Sequence, residues 1–289
     1  MSRSEQSRAT PRVAVVVPCF NDGATLPDTL ASLRDEEPHE LVVVDDGSDD
    51  AATTSELERL AAGGVRIVRR ANGGLSAARM TGVEATSARY VLPLDADDAL
   101  VPGSLAALAD ALDAAPDAAV AWGDVEMWGE QAAHLDVARS LDPWLLTFIN
   151  DVPVASMIRR VALLAAGGWS MGSGYEDWDL WLALAERGHT GVHVPRPTLR
   201  YRRRPGRMLA DCTPQHAALY ARLRERHAAL FAQRRRNRRR SQAPLRARLL
   251  FPAIETLPLD PFTRHRAYLL VNRPRQTLSL RRDRRAAAA

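Results

Sequence analysis

The 289-residue chain contains no lysine, so all 39 of its fixed basic residues are arginines. Each is a planar guanidinium suited to bidentate contact with carboxylate or phosphate. Cysteine is almost missing: Cys19 and Cys212 are the pair, which excludes a disulfide framework and a cysteine zinc site. Cys19, after an apolar run, reads as a small buried hydrophobe. No apolar stretch approaches the ~20 residues that span a bilayer. Residues 1–11 are polar and lack the apolar core of a signal peptide. These absences lead to the expectation of a cytoplasmic protein. No internal repeat is found.

What is present is strongly polarised. Residues 1–195 hold 14 arginines against 30 acids, whereas residues 196–289 hold 25 arginines against 5 acids. A net charge of +4 therefore conceals an acidic body and a basic tail. The length suits one large α/β domain with an appendage, because single cores stop growing at roughly 250–300 residues.

Along the body, β-branched runs alternate with apolar residues at helical spacing. Strands are expected over 12–17, 40–44, 65–68 and 90–94, with helices over 25–36 (Thr25 as N-cap), 51–62 and 75–86 between them. This β-α-β-α-β-α-β order predicts an open, mainly parallel sheet flanked by helices. A helix over 102–115, a strand over 118–128, a helix over 161–166, a glycine-rich loop over 167–174, a helix over 176–187 and a strand over 190–194 follow. Residues 222–240 read as one very basic helix. Residues 245–251 read either as an amphipathic segment for an anionic membrane surface or as part of a solvated tail packed on the acidic body.

Sheets of this kind bind ligands at the carboxyl ends of their strands. Asn21, Asp46 and the run Asp95-Ala96-Asp97-Asp98 all follow strand ends, so they should line one crevice. In extended chain, residues two apart project together, and Asp95 with Asp97 would repel without a cation between them. A magnesium or manganese ion carrying phosphate oxygens meets that need. Asp98 is expected to ligate too or to cap the next helix. Gly168-Trp169-Ser170-Met171-Gly172 fits a hydrolase nucleophile pattern, but a helix rather than a buried strand precedes it.

Five segments carry a resemblance: Val15-Val16-Val17-Pro18-Cys19-Phe20-Asn21, Val43-Val44-Asp45-Asp46-Gly47-Ser48, Asn72-Gly73-Gly74-Leu75-Ser76-Ala77-Ala78-Arg79, Leu94-Asp95-Ala96-Asp97-Asp98 and Glu176-Asp177-Trp178-Asp179-Leu180-Trp181. Their order and spacing over about residues 12–205 are similar to those of family 2 glycosyltransferases. The resemblance implies a GT-A fold, a nucleotide-diphosphate sugar donor of UDP, dTDP or GDP type, a divalent cation and inversion at the anomeric carbon. It implies a domain over 12–208, with a nucleotide-binding half at 12–100 and an acceptor half at 101–208, before a basic, mostly helical extension at 209–289.

By that resemblance Pro18, Phe20, Asn21, Asp46, Arg79 and Asp95 bind the donor, with Asp46 accepting from the base. Met80 stands where many relatives carry Asn. Arg202 and Arg204 would hold the diphosphate, Asp97 with Asp95 the metal, and His189 and His193 are further ligand candidates by position. Asp177 is the expected general base. Glu176 and Trp178 are expected on the acceptor, with Trp178 and Trp181 as a stacking wall for sugars, or Trp181 simply as core. The acceptor is a carbohydrate, a lipid-linked or a small-molecule hydroxyl, and no nucleic acid is expected. The readings set against this one are a sugar-nucleotide pyrophosphorylase, whose N-terminal glycine-rich basic loop is missing, and a basic nucleic-acid-binding protein on an α/β scaffold.

Overall fold

The structure, a computed structural model, describes residues 11–129, 133–135, 137–172, 174–203 and 208–274. Strand β1 (Val13–Cys19) is apolar throughout and completely buried. It lies between β2 (His39–Asp45) and β4 (Tyr90–Pro93), both parallel to it. β3 (Ile67–Arg69) extends the parallel set beyond β2. Strands covered on both faces need apolar residues at every position, which is why these runs show no alternation.

The connections are α1 (Leu26–Ala31), α2 (Ala51–Ala62) and α3 (Leu75–Glu84). Helix α1 is shorter than its periodicity suggests. Thr25 is its N-cap residue, as expected, but its side chain makes no capping bond, because its Oγ1 donates to the Asp22 carbonyl at 3.1 Å. Asp50 caps α2 by accepting from the Thr53 amide at 2.8 Å. Helix α3 lies very close to β1: a Cβ at Gly82 would stand 2.2 Å from Val16 Cγ1.

After β4 come β5 (Ala99–Leu100), α4 (Ser104–Ala114), β6 (Ala118–Gly129), β7 (Ala133–Leu135), β8 (Met157–Arg159), α5 (Arg160–Ala165), α6 (Glu176–Glu186) and β9 (Thr190–Arg203). The described sheet has the order β3-β2-β1-β4-β8-β6-β9-β5, with β7 paired to β6. β8 runs antiparallel to both β4 and β6, and so joins the parallel half to a mixed half. β9 continues nine residues past the expected end at 194. It pairs with β6 as far as Gly129↔Arg203, absorbing shifts of register along the way.

The expected basic helix over 222–240 is instead three: α7 (Met208–Arg226), α8 (Ala228–Ala232) and α9 (Arg234–Arg240). His227 makes the first break. Its two ring nitrogens lie 3.0 Å from Asp179 and 3.1 Å from Glu186, and its backbone leaves the helical region at φ −111°, ψ 35°. α10 (Leu245–Thr256) and α11 (Pro261–Asn272) complete the extension.

This basic extension packs on the acidic body. Leu219, Leu223 and Leu230 enter the main core, and Phe251 and Tyr268 pack with Trp144 and Phe148 at ring separations of 4.6 to 5.6 Å. Arginines meet body acids at Arg226–Asp179 and Arg273–Asp151. Such partly buried pairs set the docking geometry more than they add net stability.

Candidate active site at the carboxyl edge of the sheet

The loop after β1 is a scaffold. Pro18 is buried within the strand, and Phe20 is 45% exposed. Asn21, at φ 56°, adopts the left-handed conformation that Asn tolerates. Its amide donates to Asp49 at 2.7 Å and accepts from the Asp49 and Asp50 backbone. Asn21 thus ties the first crevice loop to the second.

Asp46 is buried and already surrounded by donors. Arg70 donates to it at 2.5 Å, and the Gly73 and Gly74 amides at 3.1 and 2.7 Å. A Cβ at residue 73 would sit 2.6 Å from the Arg70 guanidinium, so a side chain there would displace Arg70 from Asp46. Arg70 was not picked out by its sequence context. The signal for it was its place one residue past β3, the same edge that offers Asp46.

Asp95 and Asp97 leave the end of β4 together. Asp97 is buried, and its carbonyl accepts from Arg202 Nε at 2.9 Å. Asp98 does not cap α4, whose N-cap is Gly103. It accepts from the Arg202 amide at 2.9 Å. Arg202 also reaches Asp28 at 2.7 Å, and its guanidinium lies 3.9 Å from the Trp128 ring centroid. Arg202 therefore fastens β9 to the Asp97 backbone. Arg204 lies outside the described residues.

Arg79 is completely buried on α3. Its Nη2 donates to Asp95 at 2.8 Å and its Nη1 to Glu176 at 2.9 Å. Burial alone would pull the guanidinium pKa down, but these two carboxylates outweigh it and hold it up. Arg79 thus serves as the bracket between β4 and α6, rather than as an exposed helix arginine.

Glu176 is buried at the first turn of α6. Asp177 beside it is half-buried, accepting from Asn150 Nδ2 and from the Trp178 amide, both at 2.8 Å. Burial, reinforced by the Glu176 charge, pushes its carboxyl up to about 7, against partial opposition from the Trp178 amide, Arg79 and Asn150. A carboxyl poised there fits proton transfer near neutral pH. Asn150 carried no motif in the sequence.

The expected tryptophan stacking wall is corrected by the structure. Trp181 is core, and Trp178 is 2% exposed with its Nε1 donating to the Leu146 carbonyl at 2.7 Å. Tyr175 and Tyr220 pack against the Trp178 ring at 5.2 and 5.8 Å, leaving its edge at the cavity. The histidine ligand candidates stay apart as well. His193 pairs with Asp124 at 2.9 Å, and the His189 amide closes the end of α6 on the Leu184 carbonyl.

Ser170 follows α5, as expected, and lies 3.3 Å from Asp179, which in turn meets His227. An acid between serine and histidine reverses the arrangement a nucleophilic serine requires.

A cavity of about 530 Å³ collects Asp95, Asp97, Glu176 and Asp177 on one lining. Among the described residues no three acids, histidines or cysteines converge as a metal cage. Two aspartates nevertheless suit magnesium or manganese, which keep waters and phosphate oxygens in their remaining positions. The oxygen-only donor set of Asp97 and Asp95 fits such an ion.

Residues 14–153 match the family described as "Glycosyl transferase family 2". The chain is 30% identical over 213 residues to protein y4gI of Sinorhizobium fredii, covering 70% of this chain and 23% of that one. It is 34% identical over 95 residues to poly(ribitol-phosphate) beta-N-acetylglucosaminyltransferase TarP of Staphylococcus aureus, covering 31% and 29%. It spans about a quarter of the length of these curated relatives. Among solved structures, S. aureus TarS 1-349 in complex with UDP-GlcNAc superposes with a TM-score of 0.63 at 14% identity, covering 90% of this chain and 81% of that one. The ordered motifs, the sheet topology and these matches place residues 14–153 in glycosyl transferase family 2, on a GT-A fold.

Proposed function

We propose that the chain transfers a sugar from a nucleotide-diphosphate donor to an acceptor hydroxyl, with inversion at the anomeric carbon and dependence on a divalent cation. The observation that carries this reading is the shared cavity, whose lining includes Asp177 together with Asp95 and Asp97, with Arg79 bridging Asp95 to Glu176. The acceptor oxygen attacks the anomeric carbon and its proton passes to Asp177. The bond from that carbon to the diphosphate oxygen breaks, and the electron pair leaves with the nucleotide. One displacement from the face opposite the leaving group inverts the centre. Asn150 holds the Asp177 carboxylate in place, and burial, reinforced by the Glu176 charge, keeps its pKa high. Asp97 and Asp95 would hold the magnesium or manganese ion, which when bound neutralises charge developing on the departing diphosphate.

Asp46, with Arg70 and the Gly73–Gly74 amides, marks the base end of the donor. Uridine diphosphate sugars are the first donors to test, because the TarS complexes that share the fold contain UDP and UDP-GlcNAc. No described helix is long and apolar enough to cross a membrane. Exposed Leu245, Leu249 and Leu250 on α10, beside the arginines of α9, support a peripheral contact with anionic lipid. Co-sedimentation with anionic but not neutral vesicles tests that contact.

The deciding experiment is a thermal-shift panel of nucleotide diphosphates and their sugars, with and without manganese. Metal-dependent stabilisation by at least one nucleotide sugar is expected. Silence across the panel would sink the donor assignment.

A further inference from the structure

The cavity lining is of two unlike kinds. Five carboxylates, those of Asp95, Asp97, Asp151, Glu176 and Asp177, belong to it. So do aliphatic side chains, among them Val125, Leu135, Val152, Val154, Leu199 and Leu269. The last of these comes from α11, inside the basic extension, and the same helix contributes His265.

The His265 ring lies 6.0 Å from that of Trp178 and 4.7 Å from that of His216 on α7. His216 in turn lies 2.8 Å from the Tyr175 hydroxyl, just before Glu176 and Asp177. Burial, with His216 close by, pulls His265 down to about 4, so its imidazole is neutral at physiological pH. The end of α11 grips the loop that orients the base. Asn272 donates to Asp151 at 2.6 Å and Arg273 at 3.0 Å, one residue beyond Asn150.

Charge decides what this cavity can accept. Arg79 is the one arginine on the described lining, and Asp95 and Glu176 hold its two terminal nitrogens. A phosphate entering the cavity would face these carboxylates, while the one guanidinium on the described lining is already held by two of them, so the anion would be left unpaired. An uncharged hydroxyl can approach Asp177, and an apolar body behind it would gain by covering the aliphatic side chains of the lining.

We propose that α11 forms one wall of the acceptor site and that the acceptor is an uncharged alcohol carried on an apolar body. The proposal rests on the reading of this cavity as a sugar-transfer site. It assigns the basic extension a direct part in acceptor choice through Leu269 and His265, and a positioning part through Asn272 and Arg273. The nucleophile is the neutral alcohol oxygen, which is the group that needs Asp177 to take its proton; a phosphate oxygen, already ionised, would not.

The test is titration calorimetry on the full chain with manganese, first with UDP and the other nucleoside diphosphates, then with three probes below their aggregation limits. The probes are octyl β-glucoside (neutral, apolar body), methyl β-glucoside (neutral, no apolar body) and octyl phosphate (anionic, same apolar body). Octyl β-glucoside should bind at least 10-fold more tightly than either of the others. Leu269→Asp should remove that preference while nucleotide affinity stays within 2-fold, and the milder Leu269→Ala should weaken it in a chain of undiminished melting temperature. Tightest binding of octyl phosphate, equal binding of the two glucosides, or an octyl preference that survives both variants would each overturn the proposal. Absence of nucleotide binding would instead strike the donor reading beneath it, and the two failures are read in separate titrations.

Discussion

Arg79 donates to Glu176 at 2.9 Å, with both side chains buried. Because the other terminal nitrogen of Arg79 holds Asp95, this contact joins the strand end of the nucleotide half to the first turn of α6. The cleft is thus braced by charge between β4 and α6.

Removing this bracket should be costly. Arg79→Met leaves two carboxylates without their cation, and breaking a buried pair from one side costs about 3–5 kcal/mol. Urea denaturation should show a loss of that order. A change under about 1 kcal/mol would mean that water replaces the guanidinium.

Asp177 should set the acid limb of the rate profile. Its carboxyl ordinarily titrates at 3.8 and here at about 7, so the base form and the transfer rate should rise as pH passes through about 7. The linkage sign follows: a raised carboxyl pKa contributes stability that is present below 3.8 and lost as pH rises through about 7. Asp177→Asn should therefore gain stability relative to the parent at pH 8 but not at pH 3, and lose 10²-fold or more in kcat, within the range of roughly 10²–10⁴ for removing a general base. Glu176→Gln removes the neighbouring charge and should move the limb to lower pH.

Asp97→Ala should abolish the stabilisation that manganese adds to a bound nucleotide sugar while sparing the metal-free melting temperature. Paired melts with and without the ion measure this, and an unchanged manganese increment would remove Asp97 as a ligand.

Two glycine substitutions should behave differently. In Gly82→Ala the new Cβ meets Val16 Cγ1 at 2.2 Å in the packed interior, and overpacking of this kind costs about 1–3 kcal/mol. In Gly73→Ala it meets the far end of Arg70, a flexible group that can swing aside. Stability should then change by under about 1 kcal/mol, while nucleotide affinity shifts because Arg70 leaves Asp46. Melting and binding curves on both variants separate the two outcomes.

His227 should make the seam between α6 and the extension sensitive to pH. Burial lowers its affinity for a proton, but Asp179 and Glu186 outweigh that and raise its pKa above 6.5. The stability it contributes is complete below 6.5 and lost as pH rises through the raised value. His227→Gln should flatten the fall in stability between pH 6 and 9, and a parallel fall in both proteins would place the effect elsewhere.

The parallel half was legible because strands covered on both sides must be uniformly apolar and end in polar turns. The Val13–Cys19, His39–Asp45 and Tyr90–Pro93 strands follow from local composition alone. The length of β9 was not legible, since its residues past 194 alternate arginine with Thr198, Leu199 and Tyr201, and pairing with β6 is what extends them. The division of the basic helix depends on two acids some forty residues earlier that draw His227 out of line.

By itself, the sequence determined the order of the elements as far as β4, the acids at the strand ends and the resemblance to a family, because backbone propensity and motif spacing are local properties. Tertiary structure decided which charges meet. It filled Asp46 with Arg70, spent Arg79 on Asp95 and Glu176, buried the face expected of Trp178, and brought Asn150 to Asp177. Pairing and desolvation depend on groups far apart in the chain. Neither the raised pKa of Asp177 nor the α11 wall of its cavity can therefore be read until the chain has closed upon itself.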